Sequence, residues 1–428
     1  MPSTGCSATS RIALTREQGG WLLTDGARGT ALFTRDFLAN PYPVYRRLRS
    51  ETPVVRVRLP TGEWAWLVTR YLDVVHVLTN DAFGKDPATR AGRRDSKPWW
   101  MPSILGPLQR NMLDVDPPDH TRLRALVHRA FTPHRVQQMR NRIEEVAEQA
   151  LDRVSRTGRM DLIADYALPI PTTVIAEMIG VPVANRHRFH RWSAAIVGSD
   201  ASRLSQVRAV PAIIAIIRYL RALIADRRRD RSDDLLSALI EAEEKEERLD
   251  GDEIVAMVFL LLVAGHETTV NLIGNGTFAL LERDALPQLR DDAEGLTGAV
   301  EELLRYDSPL QLATERYARE DCLVGQTVVP RGARVHAVLG SANRDEEQFP
   351  NPDELDLGRS PNRHVAFGQG IHYCLGAPLA RMEAAIALNV LARRFPGLRL
   401  GVGRPDIEWR KGLVLRGPRR LDLEFPVH

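Results

Sequence analysis

Lysine is nearly missing from this chain. Of 58 basic side chains only Lys85, Lys97, Lys245 and Lys411 are lysines, and the rest are arginines. The acidic residues number 55, so the formal net charge is only +3. That balance excludes a chain-wide nucleic-acid-binding field and leaves at most a local basic patch. Cysteine is scarce too: Cys6, Cys322 and Cys374, with no CxxC. A disulfide framework, a zinc ribbon and an iron–sulfur site are thereby excluded, and a reducing, cytoplasmic setting is expected. Residues 1–20 contain no apolar run of the kind a secretory signal carries. The longest unbroken apolar run, residues 254–264, is eleven residues long. A bilayer span requires about 20, so the run reads as the middle of a buried helix, and no membrane partner is expected.

What is present is ordinary for a globular protein: 44% hydrophobic and 26% charged residues in a chain of 428. No linker divides it and no repeat recurs, so residues 26–428 are expected to form one domain behind a loose segment, 1–25. Residues 54–58 and 64–68 alternate like the strands of a hairpin. Residues 84–112 hold four Pro and three Gly with little periodicity, and a loop of that length is usually functional or disordered. Apolar residues at three- and four-residue steps predict helices over 119–131, 135–154, 172–179, 209–228, 233–244, 252–281, 295–306 and 377–391. Short strands are expected at 334–339, 398–400 and 421–425. The fold class is therefore mainly α with small β regions.

The densest constellation is Phe367-Gly368-Gln369-Gly370-Ile371-His372-Tyr373-Cys374-Leu375-Gly376, which runs straight into a helix. Cysteine in an apolar setting is commonly a small buried hydrophobe, and Cys6 and Cys322 are read so. Cys374 differs. Glycines flank it, letting backbone pass close to a flat, bulky partner. A helix N-terminus favours its thiolate. Such a thiolate could be a nucleophile, a metal ligand or a haem ligand.

The pattern FxxGxxxCxG at 367–376 resembles the haem-binding loop of the haem-thiolate monooxygenases, the cytochrome P-450 superfamily. Three further stretches extend the resemblance over residues 40–425: Pro117–Arg124 (PPDHTRLR), Ala264–Thr269 (AGHETT) and Glu302–Arg305 (ExxR). It implies the cytochrome P-450 fold, with haem b (iron protoporphyrin IX) between a long distal helix and the helix after the cysteine loop. Cys374 would be the axial thiolate, whose electron donation favours O–O cleavage. Phe367 would shield the sulfur, with Gly368 and Gly376 shaping the loop. On the distal helix, Gly265 would mark a local widening that admits dioxygen, Thr268 would hydrogen-bond it, and Glu267 would relay protons. His266 has no second ligand at metal spacing and is read as structural or as part of the relay. The haem propionates would be met by His120, Arg124, Arg316 and His364, and less securely by His372.

Glu302 and Arg305, three apart on one helix face, would brace the cysteine loop. Relatives often add an arginine from a Pro-x-Arg-Phe stretch. Here Glu354 stands at that place, so the third member is left open. By the same resemblance the substrate pocket is lined by the 84–112 loop, residues 194–208, Val263, Ala264, Leu310, Leu312, Ala313, Leu413 and Val414. Trp99 and Trp100 either cover the substrate or pack their loop down.

The implied reaction inserts one oxygen atom of O2 into a small hydrophobic molecule, by hydroxylation or epoxidation. Natural products, terpenoids, steroids and macrolides all fit. The chain has no GxGxxG fingerprint and no flavin-sized extra domain, so NAD(P)H would act only indirectly. Electrons would arrive from a ferredoxin or flavodoxin with its reductase, steered by Arg122, Arg129, Arg135 and Arg140. The other readings are a peroxide-driven peroxygenase, which usually lacks the acid–alcohol pair, and a non-catalytic haem sensor or ligand carrier.

Overall fold

The computed structural model describes residues 13–17, 20–24, 30–32, 34–59, 62–86, 111–197, 203–246, 251–291, 295–412 and 414–427. Its centre is the helix Gly251–Leu281, 31 residues long. This helix and the stretch Leu162–Ile179 are long and apolar enough to cross a membrane, but more than half of each such window is buried inside the protein. The long helix also carries Glu267, Asn271 and Asn275 among its buried positions. Both therefore serve as core elements. The helix is apolar around most of its circumference because it is packed on several sides, by Pro169–Ile179, Arg203–Arg229, Leu296–Tyr306 and Ala377–Arg394.

The expected helices form, with bounds shifted by a few residues. The 135–154 helix divides into Pro133–Gln138 and Arg140–Val154, with Thr132 capping the first through a hydroxyl that accepts from the Arg135 N–H (3.3 Å). The helix Val183–Val197 escaped the sequence reading because its mixed Arg, His and apolar residues give little periodicity.

A five-stranded sheet joins distant parts of the chain. Its order is Val54–Arg58, Trp64–Val68, Arg334–Ala337, Arg316–Ala318, Phe83–Gly84. The hairpin pairs Val54 with Val68 and Arg58 with Trp64, and the one parallel pairing sets Val335 opposite Trp66. The tail strand Asp422–Glu424 lies between Arg399–Leu400 and Arg159–Asp161. Within the segment expected to be loose, Ala13–Glu17 and Gly20–Thr24 pair as an antiparallel hairpin extended by Thr30–Leu32.

Candidate active site

The cysteine loop closes on itself through the Cys374 N–H, which donates to the Phe367 carbonyl (2.9 Å). Gly368 and Gly370 have φ of 71° and 72°, a region that side chains avoid. Gly370 carries a second constraint, since a Cβ there would stand 2.9 Å from the Leu78 carbonyl oxygen. It fits the loop against the helix Tyr71–Thr79 rather than against a flat partner. Gly376 is the opposite case: its φ is −80° and a Cβ would meet nothing within 4 Å. Burial pushes the Cys374 thiol up, while the N–H groups of Gly376 and Ala377 and the charges of Arg124 and Arg381 draw it back down. Arg381 lies over the Phe367 ring, 4.5 Å from its centroid, and grips Glu301 at 2.6 and 2.8 Å. Burial acts against ionisation of Glu301, yet Arg381 and His364 hold it down to about 2. His364 contacts Glu301 through Nε2 (3.0 Å), and its Nδ1 accepts from the Ala366 N–H (3.2 Å). With one ring nitrogen engaged by Glu301 of the helix Leu296–Tyr306 and the other by the Ala366 N–H, His364 is not a free donor, which corrects its expected place among the propionate partners.

His372 is the unpartnered histidine instead. Its ring lies 4.2 Å from the ring of His120, centroid to centroid. All four nitrogens of the two rings are buried without a hydrogen-bond partner, as is Arg316 Nε. Lys85, which the sequence reading passed over, joins them. It is buried, and its ammonium donates to the carbonyls of Thr314 and Glu315, both at 3.0 Å. Burial and then Lys85, His120 and Arg316 push His372 down to about 3. Burial and then Arg316 push Lys85 down to about 7. Burial pushes Arg316 down to about 10. The acid whose charge reaches all four, Asp116, is committed to Arg319 (2.8 Å) and to the N–H groups of Lys85 and Asp86. Arg124 donates to the Tyr373 carbonyl (2.8 Å), beside the cysteine. Bases this crowded and this buried call for an anion among them.

The brace is complete. Arg305 grips Glu302 with two bonds of 2.7 Å, both side chains being fully buried. It also donates to the carbonyls of Asn343, Pro352 and Glu354, at 3.0, 2.8 and 2.9 Å. Glu354 thus contributes backbone, and the open third position belongs to Arg359, whose Nε lies 3.1 Å from Glu302 Oε2. Asn362 and the Asp356 N–H fill the remaining Glu302 lone pairs.

On the long helix, Ala264 and Gly265 are exposed and Thr268 is half-buried, although most of their neighbours are buried. The helix is continuous through this stretch, so the expected widening is no break. Instead the hydroxyls of Thr268 and Thr269 donate back to the carbonyls of Ala264 (3.0 Å) and Gly265 (3.2 Å), a pattern that bends helices. Glu267 is buried and paired to Arg410 at 2.8 Å. Burial pushes it up to about 7 while Arg410 opposes the shift. Behind Thr269 lies Glu383 of the helix Ala377–Arg394, pushed up to about 8 by burial with the Thr269 hydroxyl opposing. His266 is fully buried with Nδ1 2.5 Å from the Leu262 carbonyl, a structural placement.

Two of the expected pocket segments meet, residues 310–313 and the tail turn at Val414, while residues 87–110 of the expected loop lie outside the described residues. Gln311 N–H donates to the Val414 carbonyl (2.8 Å) and Leu310 pairs with Leu415. Val263, Leu310 and Ala313 are half-buried and Val414 is exposed. Leu312 is an exception: it is buried in a cluster with Phe37, Tyr45 and Val338 and belongs to the core. Trp99, Trp100 and Leu413 lie outside the described residues. Of the expected basic patch, Arg122 is tied to Glu253 (2.6 Å) and Arg135 to Asp233 (2.8 Å); Arg129 and Arg140 lie at the surface.

A helical body with a cysteine loop on one side and an accessible stretch of a buried helix on the other is the frame of a haem-thiolate enzyme. The sequence profile of the family described as Cytochrome P450 matches residues 287–425. Cytochrome P450 107B1 of Saccharopolyspora erythraea is 45% identical, over 91% of this chain and 96% of its own. Mycinamicin IV hydroxylase/epoxidase of Micromonospora griseorubida is 41% identical, over 90% and 94%. The solved structure of the Bacillus subtilis bacillaene polyketide synthase cytochrome P450 PksS superposes with a TM-score of 0.85 at 41% identity, over 92% of this chain and 98% of that one. The chain belongs to the cytochrome P450 family and is a monooxygenase.

That family implies haem, and the residues present fit it. Two propionates would supply the anions that Lys85, His120, Arg316 and His372 lack, and Cys374 offers a sulfur ligand at a helix start.

Proposed function

We propose that residues 26–428 form one domain that holds haem b through Cys374 and oxygenates a polyketide-like or macrolide-like hydrophobic molecule by hydroxylation or epoxidation. The observation that carries the reading is the set of orphaned nitrogens on His120, His372 and Arg316 near the cysteine loop, a donor set matched to two carboxylates. The substrate class rests on relatives described as a mycinamicin hydroxylase/epoxidase and a polyketide synthase P450.

Haem bound here supplies reductive activation of dioxygen and transfer of one oxygen atom. The protein supplies the rest. Cys374 would hold the iron as its thiolate; burial raises the free thiol, and the Gly376 and Ala377 N–H groups with Arg124 and Arg381 work against that rise. Phe367, covered by Arg381, keeps water from the sulfur. Glu302, Arg305 and Arg359 fix the path of the loop. Gly265 leaves room on the distal helix, Thr268 Oγ1, its own proton given to the Ala264 carbonyl, turns its lone pairs toward that space as an acceptor, and Glu267, poised near neutrality, supplies protons there. Val263, Ala264, Leu310, Ala313 and Val414 face the substrate. Electrons come from NAD(P)H through a separate reductase and a ferredoxin or flavodoxin, in the cytoplasm.

The experiment is turnover of the purified enzyme with such a redox chain, a macrolide panel and isotopically labelled dioxygen. One labelled oxygen atom in the product is expected. Product that forms only with peroxide would establish the peroxygenase reading, and ligand binding without turnover the sensor reading.

A further inference from the structure

The ion pair of Glu267 is seated on a second, smaller site. Arg410 gives Nη1 to Glu267 at 2.8 Å, but its Nε has no partner within the protein. Beside it lies a partly open pocket of about 10 Å³ whose lining includes Tyr45, Gln311, Trp409, Arg410, Arg416 and Gly417. Tyr45, Gln311 and Trp409 are 1%, 4% and 8% exposed. Tyr45 Oη, Gln311 Oε1 and Trp409 Nε1 all lack a partner. Four residues lining one pocket each carry an orphaned polar atom, far from the usual state of a protein interior, where buried polar groups are bonded. The space is about enough to seat one water molecule, and a buried water asks for two to four polar partners.

We propose that this cavity is an ordered-water site, and that its water seats Arg410 as the positioning residue for the Glu267 carboxylate. The hydrogen bonds balance. Arg410 Nε–H and Trp409 Nε1–H can only donate, so the water accepts both. Gln311 Oε1 can only accept, and its amide is fixed that way round because Nε2 donates to the Ser308 carbonyl (2.9 Å). Tyr45 takes the remaining proton, and the water is then four-coordinate. The backbone is shaped to the site as well. The Arg410 N–H donates to the Gly417 carbonyl (3.0 Å). A Cβ on Gly417 would overlap Asn271 Oδ1, one helical turn beyond Glu267.

This reading rests on the role proposed for Glu267 and extends it. Arg410 is the one charge among the described residues that acts on Glu267, and Arg419 acts on Arg410 in turn. A guanidinium fixed by the water stays on the carboxylate. One released from it swings away, and Glu267 then keeps its proton to higher pH.

The test uses the haem-loaded enzyme and two readouts. The first is a crystal structure at a resolution that shows single waters, where density within hydrogen-bond distance of all four atoms is expected. The second is the carboxyl stretch of Glu267 by infrared difference spectroscopy, assigned by its loss in Glu267→Gln and titrated with pH. Arg410→Gln should raise the Glu267 midpoint by about one pH unit or more, the lower end of what a neighbouring opposite charge does. Gln311→Leu should raise it by less, Arg410→Lys should restore part of the Arg410→Gln shift, and the alkaline limb of product formed per NAD(P)H should move with the midpoint. If Gln311→Leu does not fold, Tyr45→Phe reads the same shift with the loss of one hydroxyl. A dry cavity, or a midpoint unmoved in these variants, overturns the inference. Loss of the thiolate Soret band with carbon monoxide in the unaltered enzyme would instead overturn the proposed function, so the two failures are distinct.

Discussion

Replacement of Arg305 by lysine keeps the charge and removes the fork. Arg305 makes two bonds to Glu302 and three to the carbonyls of Asn343, Pro352 and Glu354, all from a fully buried position. An ammonium offers three donors without the planar geometry, so two acceptors at least lose their partner inside the protein. Breaking a buried pair costs about 3–5 kcal/mol. Arg359→Ala removes only one of two arginines from Glu302, and Asn362 and the Asp356 N–H remain. A single bond to a charged group is worth about 1.5–3 kcal/mol, so this change should be the milder. For a chain of 428 residues the unfolding entropy is roughly 0.9 kcal/mol per kelvin. The thermal midpoint should therefore fall by about 3–6 °C for Arg305→Lys and about 2–3 °C for Arg359→Ala. The assay is near-ultraviolet circular dichroism of the haem-loaded enzyme on heating. A lysine variant that melts with the parent, or an Arg359 variant that is the more damaged, would refute the geometry of the brace.

Other expectations are as direct. Thr268→Ala should leave NAD(P)H oxidation running while product per NAD(P)H falls about tenfold or more, the balance appearing as peroxide; unchanged coupling would remove Thr268 from the relay. His372→Leu and Arg316→Leu should each speed haem transfer to apomyoglobin by about 10- to 100-fold, whereas His364→Leu should not, because His364 is engaged with Glu301. Glu383, raised to about 8 by burial, binds a proton in the folded state that the unfolded chain releases near its ordinary value. Its contribution is full below about 4.5 and is lost as pH rises to about 8, by up to about 1.4 kcal/mol per unit. Glu383→Gln should flatten that fall in urea titrations across the window; parallel curves for the two proteins would argue against a protonated Glu383.

The cysteine loop, the brace helix and the distal helix were legible because each is a local pattern with fixed spacing. Residues whose role depends on where a loop travels were not. Arg359 meets Glu302 across 57 positions, and no periodicity announces it. Lys85 follows a two-residue strand inside a stretch that reads as irregular, and its meaning appears only once Arg316 and His372 close around it. The rarity of lysine was the one available signal. Arg410 lies in the tail, 143 residues from Glu267. His364 and His372 illustrate the same limit from the other side: one precedes the loop and the other lies within it, yet only the fold decides which faces Glu301 and which faces His120. Leu312 sits between two pocket candidates, but the chain's local course turns it into the core beside Tyr45.

Reduction of the purified protein under carbon monoxide tests the central assignment most directly. A thiolate from Cys374 predicts the strongly red-shifted Soret band, lost in Cys374→His while the helical circular dichroism persists. A Soret band at the unshifted position in the unaltered protein, or one that survives loss of the cysteine, would contradict it.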